Sequence, residues 1–145
     1  TASSVQDGDD NDSGTGQYGN ENTSSIEQIG NMNVANGGFF GNYQVGDSND
    51  ASISQIGDFN DAQNTQLGNG NDASATQEGD DNFSRITQDG NGNDAVTFQD
   101  GFQNDSDVDQ LGDSNISDVS QTGFNHMSVV LQQGSGNSST VTQND

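Results

Sequence analysis

The chain carries its few apolar side chains at every second position of short segments, and these segments recur. Residues 71–77 place Asn, Ala, Ala and Gln at alternate positions. Because strand side chains alternate between two faces, these four share one face, while Asp72, Ser74 and Thr76 share the other. The pattern predicts a β-strand of about seven residues with one buried and one hydrated face.

The strand pattern recurs at every eleventh position, and glutamine marks the repeat. Gln6 is the first of the series. The others are Gln17, Gln28, Gln44, Gln55, Gln66, Gln77, Gln88, Gln99, Gln110, Gln121, Gln132 and Gln143. Only the interval from Gln28 to Gln44 is longer, by five positions, which indicates an insertion near residues 36–40. A phase held over thirteen units is typical of a repeat architecture.

Two more residue types keep this phase. Asparagine follows glutamine by five positions, first at Asn11, and His126 replaces it once. The predicted inward asparagines are Asn22, Asn33, Asn49, Asn60, Asn71, Asn82, Asn93, Asn104, Asn115 and Asn137. Glycine follows glutamine by two positions, first at Gly8. The predicted turn glycines are Gly19, Gly30, Gly46, Gly57, Gly68, Gly79, Gly90, Gly101, Gly112, Gly123 and Gly134.

The inward positions between asparagine and glutamine alternate in size. The first is small, Ala or Ser, and the second is often a branched aliphatic residue. The aliphatic residues are Ile26, Ile53, Ile86, Val108, Val119, Val130 and Val141. The four residues around each glycine form the turn, since glycine adopts positive φ without steric cost. Two units then close one coil of 22 residues, and coils stack roughly 4.8 Å apart.

Stacking explains how so polar a chain can fold. Asn and Gln amides carry both a donor and an acceptor, so in register each is expected to bond the amides above and below it. These ladders would satisfy polar groups whose burial is otherwise unfavourable. A thin strip of Ile and Val would face Ala and Ser of the other sheet. The sequence therefore predicts an all-β, two-sheet β-solenoid (β-helix) with cross-β stacking.

Composition narrows the function classes. The 145 residues suit one domain, 1–145, in which residues 1–22 are the least regular. A hydrophobic content of 25% and a net charge of −22 would alone favour disorder. The charge disfavours nucleic acid and anionic membranes as partners. No segment is apolar over the roughly 18 residues of a membrane span. The chain lacks proline, which suits sheet pairing, and lacks cysteine.

Other repeat proteins fit less well. A period of eleven also suits a helical supercoil, but glycine in every unit and apolar spacing of two oppose it. A calcium-binding β-roll of a secreted adhesin is the main alternative, because segments such as residues 68–72 are rich in Gly, Asn and Asp. Its period is nine, however. An antifreeze array would need more threonine. With one histidine and no cysteine, we expect no enzyme, cofactor or metal site.

The spacing Gln-x-Gly-x-x-Asn-x-(Ala/Ser)-x-x-x-Gln resembles the curlin repeat, for example from Asn49 through Gln55, Gly57 and Asn60 to Gln66. The resemblance implies a secreted bacterial protein that polymerises into functional amyloid on the cell surface. It also implies partners: a minor nucleating subunit, an outer-membrane secretion pore and periplasmic chaperones. The chain departs from the family in its nearly constant asparagine. Its glutamine series already starts at Gln6, so we expect the family's separate Gly-rich leader to be absent or merged with residues 1–22. We favour the major subunit.

Thirteen strands make six and a half coils, a length of about 31 Å. The edge strands at both ends are expected to be unpaired, and the odd count relates successive subunits by about half a turn. Asp50, Asp72 and Asp94 are 22 apart and should stack on one edge, as should Phe102 and Phe124. We hypothesise that the phenylalanines within residues 36–40 mediate lateral bundling of fibres.

Overall fold

The computed structural model describes residues 1–36 and 41–145, and these fold as parallel β-strands joined by tight corners. The strands are β1 Ala2–Asp7, β2 Asp12–Ser13, β3 Thr15–Tyr18, β4 Thr23–Ile29, β5 Val34–Ala35, β6 Asn42–Val45, β7 Asp50–Ile56, β8 Asp61–Leu67, β9 Asp72–Asp80, β10 Phe83–Asp89, β11 Asp94–Phe102, β12 Asp105–Leu111, β13 Ile116–Phe124, β14 Met127–Gln133 and β15 Ser138–Asn144. No described residue belongs to a helix that could span a membrane.

Successive units of the repeat alternate between two sheets, and β2 with β3, like β5 with β6, forms a single unit. Sheet A has the order β1-β4-β7-β9-β11-β13-β15. Sheet B has the order β14-β12-β10-β8-β5-β2, and β3 pairs with β6, which pairs with β8. Paired residues are 22 apart in sequence, as for Gln77 and Gln99. The predicted all-β, two-sheet β-solenoid, with two units in each coil, is confirmed.

The core lies between the two sheets, and each sheet contributes one layer of inward-facing side chains. In β7 the buried residues are Ala51, Ile53 and Gln55, which alternate with outward serines. The first inward position of one sheet meets the second inward position of the other: the hydroxyl oxygens of Ser84 of β10 and Thr97 of β11 lie 2.6 Å apart. The expected apposition of Ile and Val with Ala and Ser stays a prediction.

The aliphatic strip is interrupted by buried amides. Asn42 and Asn64 occupy adjacent inward positions of sheet B, where Ile86 and Val108 follow in register. The Nδ2 of Asn64 donates to Asn42 Oδ1 at 3.1 Å and to the Ser52 carbonyl at 2.8 Å. The core therefore also contains a hydrogen bond between two asparagine amides, which the glutamine period does not predict.

The first coils are less regular than the rest. All of β1 is exposed, and its register places Ser4 beside Ile26 and Val5 beside Glu27, so Val5 points outward. The fourth unit is divided into β5 and β6, whose register with β8 places the extra residues between Ala35 and Asn42, within the strand. Register partners across the insertion are therefore 27 apart. Residues 37–40, with both phenylalanines of the bundling hypothesis, lie outside the described residues.

Candidate functional site: stacked ladders and open strand edges

The glutamines form two continuous amide ladders along the solenoid axis. In sheet A, Gln55 Nε2 donates to Gln77 Oε1 at 2.9 Å, and Gln77 Nε2 donates to Gln99 Oε1 at 3.0 Å. The second N–H of Gln77 crosses the core to the carbonyl of Asp61 in sheet B, at 3.0 Å. The sheet A ladder contains Gln6, Gln28, Gln55, Gln77, Gln99, Gln121 and Gln143. The sheet B ladder contains Gln17, Gln44, Gln66, Gln88, Gln110 and Gln132.

The asparagines bond mainly to backbone, which corrects the expected amide-to-amide ladder. The Oδ1 of Asn49 accepts the backbone N–H of Asn71 at 3.0 Å, and its Nδ2 donates to the Gly68 carbonyl at 2.8 Å. Direct amide contacts occur only as an addition, as from Asn93 Nδ2 to Asn71 Oδ1 at 3.2 Å. The shorter side chain reaches the corner backbone, and the strand begins one residue after the asparagine, contrary to the prediction.

This arrangement holds along the described chain. Asn22, Asn33, Asn49, Asn60, Asn71, Asn82, Asn93, Asn104 and Asn115 are buried, and Asn137 is half-buried. His126, which replaces asparagine in this series, makes the same main-chain hydrogen bond, because its backbone N–H donates to Asn104 Oδ1 at 3.1 Å. Its ring nitrogen Nε2 lies 3.1 Å from the Thr122 carbonyl and 3.2 Å from Asp145 Oδ1.

Each turn glycine has positive φ, from +100° at Gly79 to +137° at Gly90. Glycine is also required by packing. A Cβ on Gly57 would overlap the carbonyl oxygen of Gly79 in the next coil. At the open end, by contrast, a Cβ on Gly134 would lie 3.6 Å from Asn137 Nδ2, its nearest neighbour. The corner glycines therefore allow backbones to approach, beyond providing a turn.

A third ladder runs along the corners, and the repeat period alone did not predict it. Aspartates near the turns are more than hydrated charges: Asp80 Oδ1 accepts the backbone N–H of Asp58 at 2.9 Å. Likewise Asp113 Oδ1 accepts that of Asn91 at 2.8 Å. The sequence does contain a signal for this ladder, because Asp or Asn directly follows the turn glycine in nine units. They are Asp9, Asn20, Asn31, Asp47, Asp58, Asn69, Asp80, Asn91 and Asp113.

Phenylalanine replaces this corner residue twice. The rings of Phe102 and Phe124 stack with centroids 5.6 Å apart and planes 12° apart, which confirms the predicted pair. Two stacked rings contribute roughly 0.5–1.5 kcal/mol beyond the area that they bury. The column therefore changes from hydrogen bonds to aromatic contact without losing its register.

Acidic residues also stack along the axis. Asp50, Asp72 and Asp94 are consecutive register partners, as predicted. Loss of hydration, and then the charges of Asp50 and Asp94, raise the pKa of Asp72. Arg85 forms an ion pair with its register partner Asp107, at 2.5 Å. Because this ion pair is partly exposed, it contributes at most about 1 kcal/mol.

The two ends of the ladders present opposite hydrogen-bonding groups. Gln6 and Gln17 donate inward, to Gln28 and Gln44, each at 2.7 Å. No described residue donates to their Oε1 atoms. At the other end, Gln132 Oε1 accepts from Gln110 at 2.8 Å, so its Nε2 faces the open edge. One edge thus offers acceptors and the other offers donors.

Among residues 1–36 and 41–145, no three His, Asp or Glu side chains are grouped to hold a metal ion. In the described residues, the repeating geometry supports the stacking of one coil on the next.

The repeat matches a known family. The family described as Curlin associated repeat matches residues 57–90, 68–96, 90–123 and 118–144. Together these matches cover more than half of the chain, and three of them begin at the corner glycines Gly57, Gly68 and Gly90.

The chain belongs to the curlin repeat family. This is a structural, non-enzymatic family of secreted components of extracellular fibres, and its repeats indicate a curli-type structural subunit. Comparison with curated proteins finds no matching relative.

Proposed function

We propose that this chain is the major subunit of a curli fibre, a functional amyloid that self-polymerises end to end, builds biofilm matrix and mediates adhesion. The observation that carries the proposal is the pair of open edges. Acceptors at Gln6 and Gln17 match donors at Gln132 and Gln143, so the ladders can continue from one copy into the next. Unpaired strand edges are a hazard that soluble proteins usually cover.

The geometry favours a fibre over a closed oligomer. Coils stack along one axis, and a head-to-tail contact repeats without closing, as heterologous contacts do. Each added copy pairs main-chain groups and extends the amide ladders, which are the interactions that stabilise cross-β fibres. The proposal places the fibre outside the bacterial cell, on its surface.

The proposal includes partners that the family resemblance implies. They are a minor nucleating subunit, an outer-membrane secretion pore and periplasmic chaperones. A nucleating subunit would supply a preformed strand edge and so remove the slow first step. Adding such a subunit in substoichiometric amount should shorten the lag before fibres form, while equal lag times would count against it.

The deciding experiment is fibre diffraction or electron cryo-microscopy of the purified chain after standing in buffer. We expect thin unbranched fibres with a meridional spacing of about 4.8 Å. A soluble monomer that becomes ordered only when calcium is added would contradict the proposal. That outcome would instead favour the calcium-binding β-roll, with corner aspartates as ligands.

A further inference from the structure

The edge strand β14 has an outward face unlike that of its neighbours. Its outward residues include Met127, Val129 and Leu131, which are 65%, 70% and 74% exposed. In β12 the register partners of these three are all aspartates: Asp105, Asp107 and Asp109. Large apolar residues therefore replace carboxylates at the strand that ends sheet B.

The two strands that end the sheets, β14 and β15, contain no charged residue. From Val119 to Asn144 the sequence contains no Asp, Glu, Lys or Arg, although the chain carries a net charge of −22. A uniformly acidic protein repels a second copy of itself. Because the two strands that end the sheets carry no charge, this repulsion is weaker at their exposed edges. This end of the solenoid therefore suits an acidic partner, namely another copy of this chain.

The opposite edge offers a complementary strand. β1 points Ala2, Ser4 and Gln6 inward and Ser3 and Val5 outward. Val5 is 59% exposed, an apolar residue on a face that is otherwise polar. The Oε1 of the inward Gln6 accepts from no described residue, so it is available to a donor from another copy.

We propose that β1 of one copy pairs in parallel with β14 of a second copy, with Val5 stacked on Leu131 and Gln6 on Gln132. This junction rests on the proposed fibre function and specifies its register. Gln132 Nε2, which already donates to the Ile116 carbonyl at 2.8 Å, has its other N–H free for Gln6 Oε1. Donors would face donors in a tail-to-tail contact, so the ladder continues only head to tail.

The solenoid geometry excludes the simpler junction of β1 on β15. Consecutive strands alternate between sheets, so the edge of β14 is reached half a coil before that of β15. Placing β1 on β15 would leave one strand missing above β14, with its N–H and C=O groups unpaired, which is costly. Placing β1 on β14 leaves no gap and relates the two copies by half a turn.

Disulfide trapping between two single variants tests the register, because the native chain has no cysteine. Val5→Cys and Leu131→Cys chains are mixed, assembled, oxidised with diamide and dissolved in formic acid for a non-reducing gel. Neighbouring strands lie about 4.8 Å apart, within the Cα separation of a disulfide. The matched control pairs Val5→Cys with Thr142→Cys, which the junction on β15 would bring together.

We expect covalent dimers from the Leu131→Cys mixture and none from the Thr142→Cys mixture. Dimers only with Thr142→Cys, or fibres without dimers in either mixture, would overturn the register while leaving the fibre function intact. Failure of the native chain to form fibres would overturn both.

Added charge provides a second test, free of oxidation. Leu131→Asp places a carboxylate where β12 already carries Asp109, so the folded chain tolerates it. The control Val96→Asp adds the same charge beside Asp118 on an interior strand. We expect Leu131→Asp to slow seeded elongation about tenfold and Val96→Asp less than about twofold. Equal slowing by the two variants would contradict the junction.

Discussion

A glutamine in this core makes three hydrogen bonds, and each one reaches a different strand. Gln77 of β9 accepts from Gln55 of β7 and donates to Gln99 of β11 and to the carbonyl of Asp61 of β8. Only a side chain with both donors and an acceptor can do this. The residue is therefore fixed by hydrogen bonding more than by hydrophobicity.

Replacing this glutamine by glutamate should be strongly destabilising at neutral pH. In Gln77→Glu, a carboxylate would face the Gln99 and Asp61 oxygens without a proton to donate. We expect the free energy of unfolding to fall by about 3 kcal/mol or more, measured by urea unfolding. Burial would raise the folded-state pKa of the new carboxyl. The deficit should therefore shrink as pH falls through that pKa.

The matched control for this substitution is Gln133→Glu, at an exposed outward position of β14. A surface change of this kind should alter stability by less than about 0.5 kcal/mol. Equal effects of the two substitutions would mean that the ladder contributes nothing specific.

Two glycines in one corner should respond differently to alanine. Gly90 and Gly92 both have positive φ, at +137° and +64°. A Cβ on Gly90 would overlap the Gly112 carbonyl oxygen, whereas one on Gly92 would lie 3.8 Å from Ser114 Oγ. We expect Gly92→Ala to cost about 1 kcal/mol from backbone strain alone. Gly90→Ala should cost about 3 kcal/mol or more, because coils must separate.

Thermal unfolding followed by circular dichroism measures both glycine variants. The reverse substitution is an internal check: Ser114 has φ +58° at the position that corresponds to Gly92, so Ser114→Gly should be neutral or stabilising. Comparable losses for Gly90→Ala and Gly92→Ala would show that conformation, and not close approach of the coils, requires the corner glycine.

At the residue scale, the sequence predicts positions better than it predicts bonds. The phase of glutamine, asparagine and glycine is visible in the sequence because each recurs at every eleventh position. The hydrogen-bond partners predicted for the asparagines were wrong, because periodicity does not show whether a side-chain amide bonds to another amide or to the backbone. The sequence does not reveal that residues such as Ser114 have positive φ, because many residue types occupy that position of the repeat.

The strand is the scale at which acidic residues interact. Asp50, Asp72 and Asp94 begin the neighbouring strands β7, β9 and β11 of sheet A. Loss of hydration and like charge raise the pKa of Asp72 above its usual value of 3.8. A carboxyl with a higher pKa in the folded state holds its proton more tightly there, so this group stabilises the fold progressively as pH falls through the folded pKa towards 3.8.

Removing this carboxylate should therefore raise the melting temperature at pH 7 and flatten its dependence on pH. Asp72→Asn is the test. Its control is Asp118→Asn, whose register partners are Val96 and Thr140 and carry no charge. A melting temperature that falls in Asp72→Asn, or rises equally in both variants, would contradict the role of the column.

Strand order and length follow from alternation, but the fourth unit shows the limit of that argument. The long interval from Gln28 to Gln44 reveals an insertion without showing whether it enters a corner or a strand. The register shows that it divides the strand into β5 and β6. Likewise, Asn42 and Asn64 occupy positions where the repeat predicts aliphatic residues, and their Nδ2 atoms donate to Ser24 Oγ and to the Ser52 carbonyl.

At the scale of the whole molecule, charge opposes the assembly that the ladders favour. The net charge of −22 lies almost entirely on the strands and corners before residue 119, and Arg85 is the single basic side chain apart from His126. When copies stack end to end, acidic residues of one copy approach acidic residues of the next. Repulsion between exposed charges extends over about 8–10 Å at moderate ionic strength, which is about two coils. The uncharged end strands reduce this repulsion at the junction without cancelling it.

Assembly should therefore be faster in acid. The sequence pI is about 4.1, and protonation of carboxylates at pH 4 removes a large part of the net charge. At fixed ionic strength we expect a shorter lag at pH 4 than at pH 8, followed by light scattering and checked by electron microscopy. Millimolar divalent cations at pH 8 should shorten the lag by the same physical route, through screening of the acidic columns. Equal lag times at the two pH values would show that strand pairing, and not charge, limits the start of growth.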